Sequence, residues 1–360
     1  MSNIKKLMMS AAGGDALDVD EVFSTYLYDG NSSTQTITNG IDLDGEGGLV
    51  WIKCRDSGQE HNLYDTERGV YKFLQSQSNV EEDQNVPKGL TAFNSNGFSL
   101  DVGNESGSSF NNSSFDYVSW TFRKAPKFFD VVTYAGDSNS SRVISHNLGS
   151  AVGMIIIKTL NSNDSWNVFH RGLDNGLGTG RLFLDNTNSV DNNTLQFLSA
   201  DSSSVTFANN AAGNYSGNDY VMYLFAHNDG DGEFGPDGDQ DIIKCGSYTG
   251  SGSSGLDVNF GFEPQFVLIK NISGSNFWTI FDGMRGMTSN GAASGNRFLQ
   301  AQASAQEYDY YADYYSAGSF DVTSTGIKMT GNESVLNGGG QNYIYMAIRR
   351  GSLFPPESGT

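Results

Sequence analysis

Three short apolar runs in this chain each end in lysine: Val50-Trp51-Ile52-Lys53, Ile155-Ile156-Ile157-Lys158 and Val267-Leu268-Ile269-Lys270. Each is rich in β-branched or aromatic residues and bounded by Gly, Asn or Ser, the pattern of a short strand buried on both faces. The lysines recur after 105 and then 112 residues. That spacing predicts one fold written three times.

Other landmarks keep the same order. Tyr28, Tyr134 and Tyr248 are each followed two residues later by glycine, as when a strand enters a tight turn. Glycine corners precede the lysine-ended runs at Gly45, Gly149 and Gly261. After those runs come Arg68-Gly69, Arg171-Gly172 and Arg285-Gly286, then Lys72-Phe73-Leu74, Arg181-Leu182-Phe183-Leu184 and Arg297-Phe298-Leu299. Each unit closes on an alternating strand: Tyr117–Phe122, Tyr220–Phe225 and Tyr343–Ile348.

Six or more strands per hundred residues, with little helical periodicity, predict an all-β fold: three tandem antiparallel β-sandwich units of jelly-roll or concanavalin A-like type, with an extended N-terminal arm. The expected boundaries are a docking arm at 1–20, sandwiches at 21–126, 127–228 and 241–351, an acidic linker at 229–240 and a tail at 352–360. The short joints predict a semi-rigid rod or a compact three-lobed body. The lysines are expected where the central strands reach solvent.

Composition supports this and narrows the partners. Glycine is abundant (44 of 360), proline scarce (6), and 17 Tyr and 23 Phe suit turn-rich sheets. With 41 acidic against 21 basic side chains the formal charge is −20, which repels phosphate backbones and anionic lipid, so no nucleic-acid partner is expected. No apolar run approaches the roughly 20 residues of a membrane span, and membrane insertion is not expected. Cys54 and Cys245, the only cysteines, fall at unrelated places and read as buried free thiols.

Candidate chemistry is sparse. The joint between the second and third units carries Asp229, Asp231, Glu233, Asp237, Asp239 and Asp241 among glycines. Closely spaced oxygen ligands on a flexible backbone are what Ca²⁺ needs, yet no Glu closes the loop at its twelfth position, and a solvated acidic linker is the alternative. Ca²⁺ is the one cofactor considered. The Arg-Gly pairs could bind a carboxylate, but repetition favours architecture. Trp51, Trp166, Phe277 and Trp278 could form sugar-stacking platforms or, beside the central strands, core. His146 has Val258 at its place in the third unit and reads as structural. Motifs for a serine nucleophile, a phosphate loop or a zinc site are absent, so no enzyme is expected.

The arm, with Lys5, Lys6, Leu7, Met8 and Met9 as its docking residues, the phrase Ser145-His146-Asn147-Leu148-Gly149 and the run Gly261–Lys270 resemble virion proteins of marine tailed bacteriophages, those of cyanobacteria and related ocean bacteria. Tyr343–Arg350 has the same character. The resemblance implies a non-enzymatic virion component with concanavalin- or laminin-G-like sandwiches, assembled in the host cytoplasm on capsid or tail. Its partners would be other virion proteins and further copies of itself. A tail-fibre module that grips host polysaccharide is the alternative, and a depolymerase ranks last. An anionic surface suits seawater, where salt screens self-repulsion.

Overall fold

The computed structural model describes residues 16–84, 89–101, 109–173, 179–208, 211–287, 296–314 and 318–351. The fold is all-β, built from antiparallel sheets. One strand pattern occurs three times. An opening strand (Phe23–Asp29, Phe129–Ala135, Ile243–Thr249) pairs with a closing strand (Asp116–Arg123, Asp219–Ala226, Asn342–Arg349). The closing strand pairs with the lysine-bearing central strand (Gly48–Cys54, Val152–Thr159, Pro264–Asn271). A fourth strand follows at Asn62–Asp65, Asn167–His170 and Trp278–Asp282. Two of the sheets gain two more strands, Thr179–Phe183 with Asp191–Leu195 and Arg297–Gln300 with Tyr308–Asp309. In the first repeat the hairpin Lys72–Phe73/Asp83–Gln84 stands in their place.

A three-stranded sheet covers the outer face of each large one, making a sandwich. These sheets are Gln35–Thr38, Gly97–Leu100 and Leu90–Asn94; Val143–Ser145, Ser204–Phe207 and Phe197–Ala200; and Asp257–Asn259, Gly326–Met329 and Phe320–Thr323. The inner faces do not remain separate. Leu49, Trp51, Phe266 and Leu268 point into one core shared with Phe122, Phe129 and Phe225, while their neighbours Val50 and Ile52, or Val267 and Ile269, fill the outer sandwich cores. Period-two alternation sends successive side chains to opposite faces, and here both faces are buried. The shared core is aromatic: Phe122 lies 5.5 Å from Phe225 and 6.1 Å from Phe266, and Phe23 lies 5.5 Å from Phe266, ring centre to ring centre.

The result is a closed ring with approximate threefold symmetry, the compact three-lobed body and not the rod. Three equivalent backbone bonds stitch it: Glu82 N–H to Leu160 O (2.9 Å), Val190 N–H to Ile272 O (3.2 Å) and Glu307 N–H to Arg55 O (2.6 Å). The last joins the third repeat to the first.

Because every opening strand pairs antiparallel with its closing strand (Phe23 faces Phe122, Phe129 faces Phe225, Ile243 faces Ile348), all repeats begin and end at one pole. At the other pole a tyrosine clasp repeats. Tyr28, Tyr134 and Tyr248 stack on Tyr117, Tyr220 and Tyr343 with centroids 5.2, 5.3 and 4.8 Å apart. Their hydroxyls donate to the carbonyls of Phe110, Gly213 and Leu336. The recurring glycine of this turn has a steric cause: a Cβ on Gly30, Gly136 or Gly250 would strike the carbonyl oxygen of Asn112, Tyr215 or Gly338.

Candidate functional site

The ionisable groups worth weighing lie where repeats meet. Register places Asp65, His170 and Asp282 at one position, opposite Leu49, Met154 and Phe266. Asp282 accepts from the Arg285 backbone N–H (2.9 Å), from Arg285 Nε (2.6 Å) and, across the seam, from Trp120 Nε1 (2.9 Å). Arg285 also donates to Ile280 O (3.0 Å), lies 5.3 Å from the Trp120 ring centre and reaches Glu307 at 3.5 Å. The seam between the first and second repeats is built alike. Arg68 pairs with Asp65 (2.5 Å) and Glu82 (3.3 Å), and Tyr223 donates to Asp65 (2.7 Å).

The third seam abandons the charges together. His170, Leu173 and Val190 stand where the others have Asp, Arg and Glu, and Met346 replaces the aromatic donors Trp120 and Tyr223. His170 accepts from Gly172 N–H at Nδ1 (2.9 Å), so Nε2 carries the proton and donates to Tyr345 O (3.0 Å). Burial lowers its pKa to about 3 and keeps it neutral. Arg171 is therefore no counterpart of Arg68 and Arg285. It is exposed, follows His170 directly, and its Arg-Gly likeness is a coincidence of spacing.

The lysines also contradict the expectation of solvent at the strand ends. Lys53, Lys158 and Lys270 are fully buried. Their ammonium groups donate to backbone carbonyls: Lys53 to Cys54 O (2.7 Å), Lys158 to Thr159 O (2.9 Å) and across the seam to Asn79 O (3.2 Å), Lys270 to Asn271 O (2.7 Å) and across the seam to Thr187 O (3.1 Å). Burial lowers the pKa to about 8, about 8 and about 7. A lysine near neutrality is a nucleophile in the right cleft. Here each is buried among carbonyls, and Lys158 and Lys270 also bond the adjacent repeat, which makes those two clamps.

The tryptophans, readable from the sequence as sugar platforms or as core, are core. Trp166 Nε1 donates to Gln75 O and Ser78 O, Trp278 Nε1 to Phe183 O, and Trp51 Nε1 to His61 Nδ1, whose Nε2 then reaches Gln300 O at 3.0 Å. His61, Trp166 and Trp278 occupy one position, four residues before Asp65, His170 and Asp282, and each bonds the preceding repeat in the ring. Cys54 and Cys245 are buried free thiols. His146 is buried and accepts Leu148 N–H, shaping its glycine corner.

The six carboxylates of the acidic joint are spread over separate partners. Asp241 accepts from Gly230 and Gly232 N–H, Asp231 from the Ser150 hydroxyl and from Asp229 N–H, Glu233 pairs with Lys127 (2.7 Å) and Asp229 with Lys244 (3.0 Å), while Asp237 and Asp239 are exposed. Among the described residues no group of three His, Cys, Asp or Glu could hold a metal. The joint is anchored by Phe234, buried in the shared core, and Gly235 N–H donates to Leu17 O. Val19 and Val22 also enter that core, so the N-terminal segment from residue 16 belongs to the ring. Lys5, Lys6, Leu7, Met8 and Met9 lie outside the described residues.

One repeated set of loop-holding side chains escaped the sequence reading. Buried Asn111, Asn214 and Asn337 accept from Asn31, Asp137 and Ser251 N–H and donate to loop carbonyls, among them Ser33 O, Asn139 O and Ser253 O. Each lies six residues before the stacked tyrosine, a spacing that was visible in the sequence.

One surface depression, of about 360 Å³, lies between Thr25 of the first repeat and Met284 and Val322 of the third. Another of about 250 Å³ opens within the second repeat.

No curated protein and no solved structure matches the chain. Residues 18–350 match, in one span across all three repeats, the family model of a domain of unknown function, DUF7483, and the chain belongs to that family.

Proposed function

We propose that the protein is a non-enzymatic structural component of a bacteriophage virion, attached through residues 1–15 and presenting the ring outward. The observation that supports it most is polarity. Both joints and the segments around Asp20 and Gly351 gather at one pole, where Gly351 abuts the Asp20 carboxylate, while the tyrosine-clasped Ser/Asn/Gly turns face away from it. Such a body has an attachment end and a free end. The groups that could have suggested catalysis, the buried lysines and Asp-Arg pairs, are engaged in the seams. The phage assignment itself draws on the resemblance of the arm, the Ser145–Gly149 phrase and the Gly261–Lys270 run.

The test is deletion of residues 1–15, since Val19 and Val22 are core and must stay. The truncated chain should keep its thermal midpoint and fail to enter particles when supplied during infection. Incorporation at the full-length level would refute the docking reading.

A further inference from the structure

A protein built from three copies of one pattern shows its special site where a copy departs from the pattern. The clasp carbonyl belongs to Phe110 in the first repeat and Leu336 in the third, but to Gly213 in the second. The preceding residue is Ser109 or Val335 in those repeats and Ala212 here. Gly213 takes φ +103°, and a Cβ there would meet the Ile157 side chain at 3.2 Å. Beside this turn a depression of about 250 Å³, lined by Ala212, Gly213, Tyr215 and Tyr220, opens between the tyrosine clasp and the Arg181 strand.

The walls of that cleft are chemically mixed. Tyr215 stands at its edge 48% exposed, one of few large hydrophobic side chains so exposed. The half-buried Phe183 ring is held 5.0 Å beneath the Arg181 guanidinium. Arg181 donates through Nε to Asp191 and through Nη1 to Asn167 Oδ1, which leaves Nη2 for an incoming acceptor. Asp164 takes one bond from Ser162 on Oδ2, leaving Oδ1 for an incoming donor.

We propose that this cleft binds a single neutral sugar ring. An exposed aromatic face receives the apolar C–H face of a pyranose, while a fixed guanidinium donates to, and a carboxylate accepts from, vicinal hydroxyls. The volume is below the ~300–1,000 Å³ of pockets that hold drug-sized ligands, which fits one ring with the rest of a glycan outside. The Arg181–Asp191 pair neutralises the cationic wall and Asp164 adds a negative one, so an anionic sugar is disfavoured. The proposal deepens the polysaccharide-gripping alternative and does not depend on the docking reading: a chain that binds sugar yet fails to enter particles would leave it standing.

The test uses the full chain and the methyl glycosides of glucose, galactose, mannose and N-acetylglucosamine in saturation-transfer NMR, with titration for affinity. At least one glycoside should bind saturably in the millimolar range. Tyr215→Ala and Asp164→Ala, both at exposed positions, should each weaken it about tenfold at unchanged thermal midpoint. Absence of binding by all four glycosides, or binding that survives both substitutions, would overturn the proposal.

Discussion

Glu307 closes the ring, and its removal measures what closure is worth. Its carboxylate is 4% exposed and lies within reach of three guanidinium groups: Arg55 at 3.0 and 3.1 Å in a two-pronged contact, Arg297 at 3.4 Å and Arg285 at 3.5 Å. Burial opposes its ionisation, but Arg55, Arg285 and Arg297 outweigh burial and hold the carboxyl below its ordinary range. Glu307→Ala leaves Arg285, which has no exposed side-chain surface, with Asp282 as its one carboxylate, while Arg55 and Arg297 turn to water. Breaking a buried pair costs ~3–5 kcal/mol. Partial rehydration of two of the three arginines places this case near ~3 kcal/mol. At a urea slope of ~3 kcal/mol/M that is a midpoint lower by about 1 M in equilibrium unfolding, in one transition because the inner core is shared. Arg297→Ala, at a half-exposed contact, should cost under ~1 kcal/mol.

The pH dependence fixes the sign. A carboxyl whose folded pKa is depressed contributes stability that is present above its unfolded value, near 4.3, and lost as pH falls through the folded value. The stability gap between the native chain and Glu307→Gln should therefore be flat from pH 8 to about 5 and close in more acidic solution. A Glu307→Ala midpoint within 0.3 M of the native one, or a gap that widens on acidification, would refute the reasoning.

Further outcomes follow from the other seams and loops. His170→Asp should bury a lone carboxylate and destabilise by ~3 kcal/mol, and adding Leu173→Arg should recover at least ~1 kcal/mol in a double-mutant cycle; additivity would mean that the seam does not accept the charged pattern. Asn337→Ala strands Ser251 N–H and the carbonyls of Ser253 and Gly331 and should cost ~2–3 kcal/mol in urea unfolding, against under ~0.5 kcal/mol for an exposed serine in the same turn. The buried lysines bind fewer protons folded than unfolded between about 7–8 and the ordinary lysine value, so stability should rise with pH across that window. Lys270→Met should flatten the rise, and an unchanged slope would place its titration elsewhere. For the acidic joint, whose carboxylates already serve Lys127, Lys244 and backbone amides, the thermal midpoint should not move with EDTA or millimolar Ca²⁺; a rise with Ca²⁺ would reveal a site.

The strand pattern was legible because it is local. Runs such as Ile155–Ile157 and Tyr220–Phe225 carry their periodicity in consecutive residues, and the landmarks repeat in order. What the sequence could not disclose was the third dimension of the repeat. Runs buried on both faces were recognised as such, but nothing in Val50-Trp51-Ile52 tells that one face meets its own outer sheet and the other meets two foreign repeats. Lys53, Lys158 and Lys270 misled for the same reason: a lysine at a strand end reaches water unless another segment covers it, and the cover comes from residues such as Asn79 and Thr187, some eighty positions away. Arg171 was aligned by its glycine neighbour, when the position that matters is three residues after the fourth-strand acid. The cleft of the second repeat was hidden because its walls, Asp164, Arg181 and Tyr215, come from separate segments of the chain.

The adjacency of Asp20 and Gly351 has a topological consequence. A ring whose first and last described segments meet has no preferred starting point, and a short peptide joining residue 351 to residue 18 would make its backbone a circle. Cut anew at Pro126 or within the acidic joint, that circle should fold as the order second-third-first or third-first-second, with each seam keeping its own partners. Linear order would then be a matter of where the arm is attached, and the molecule itself a wheel.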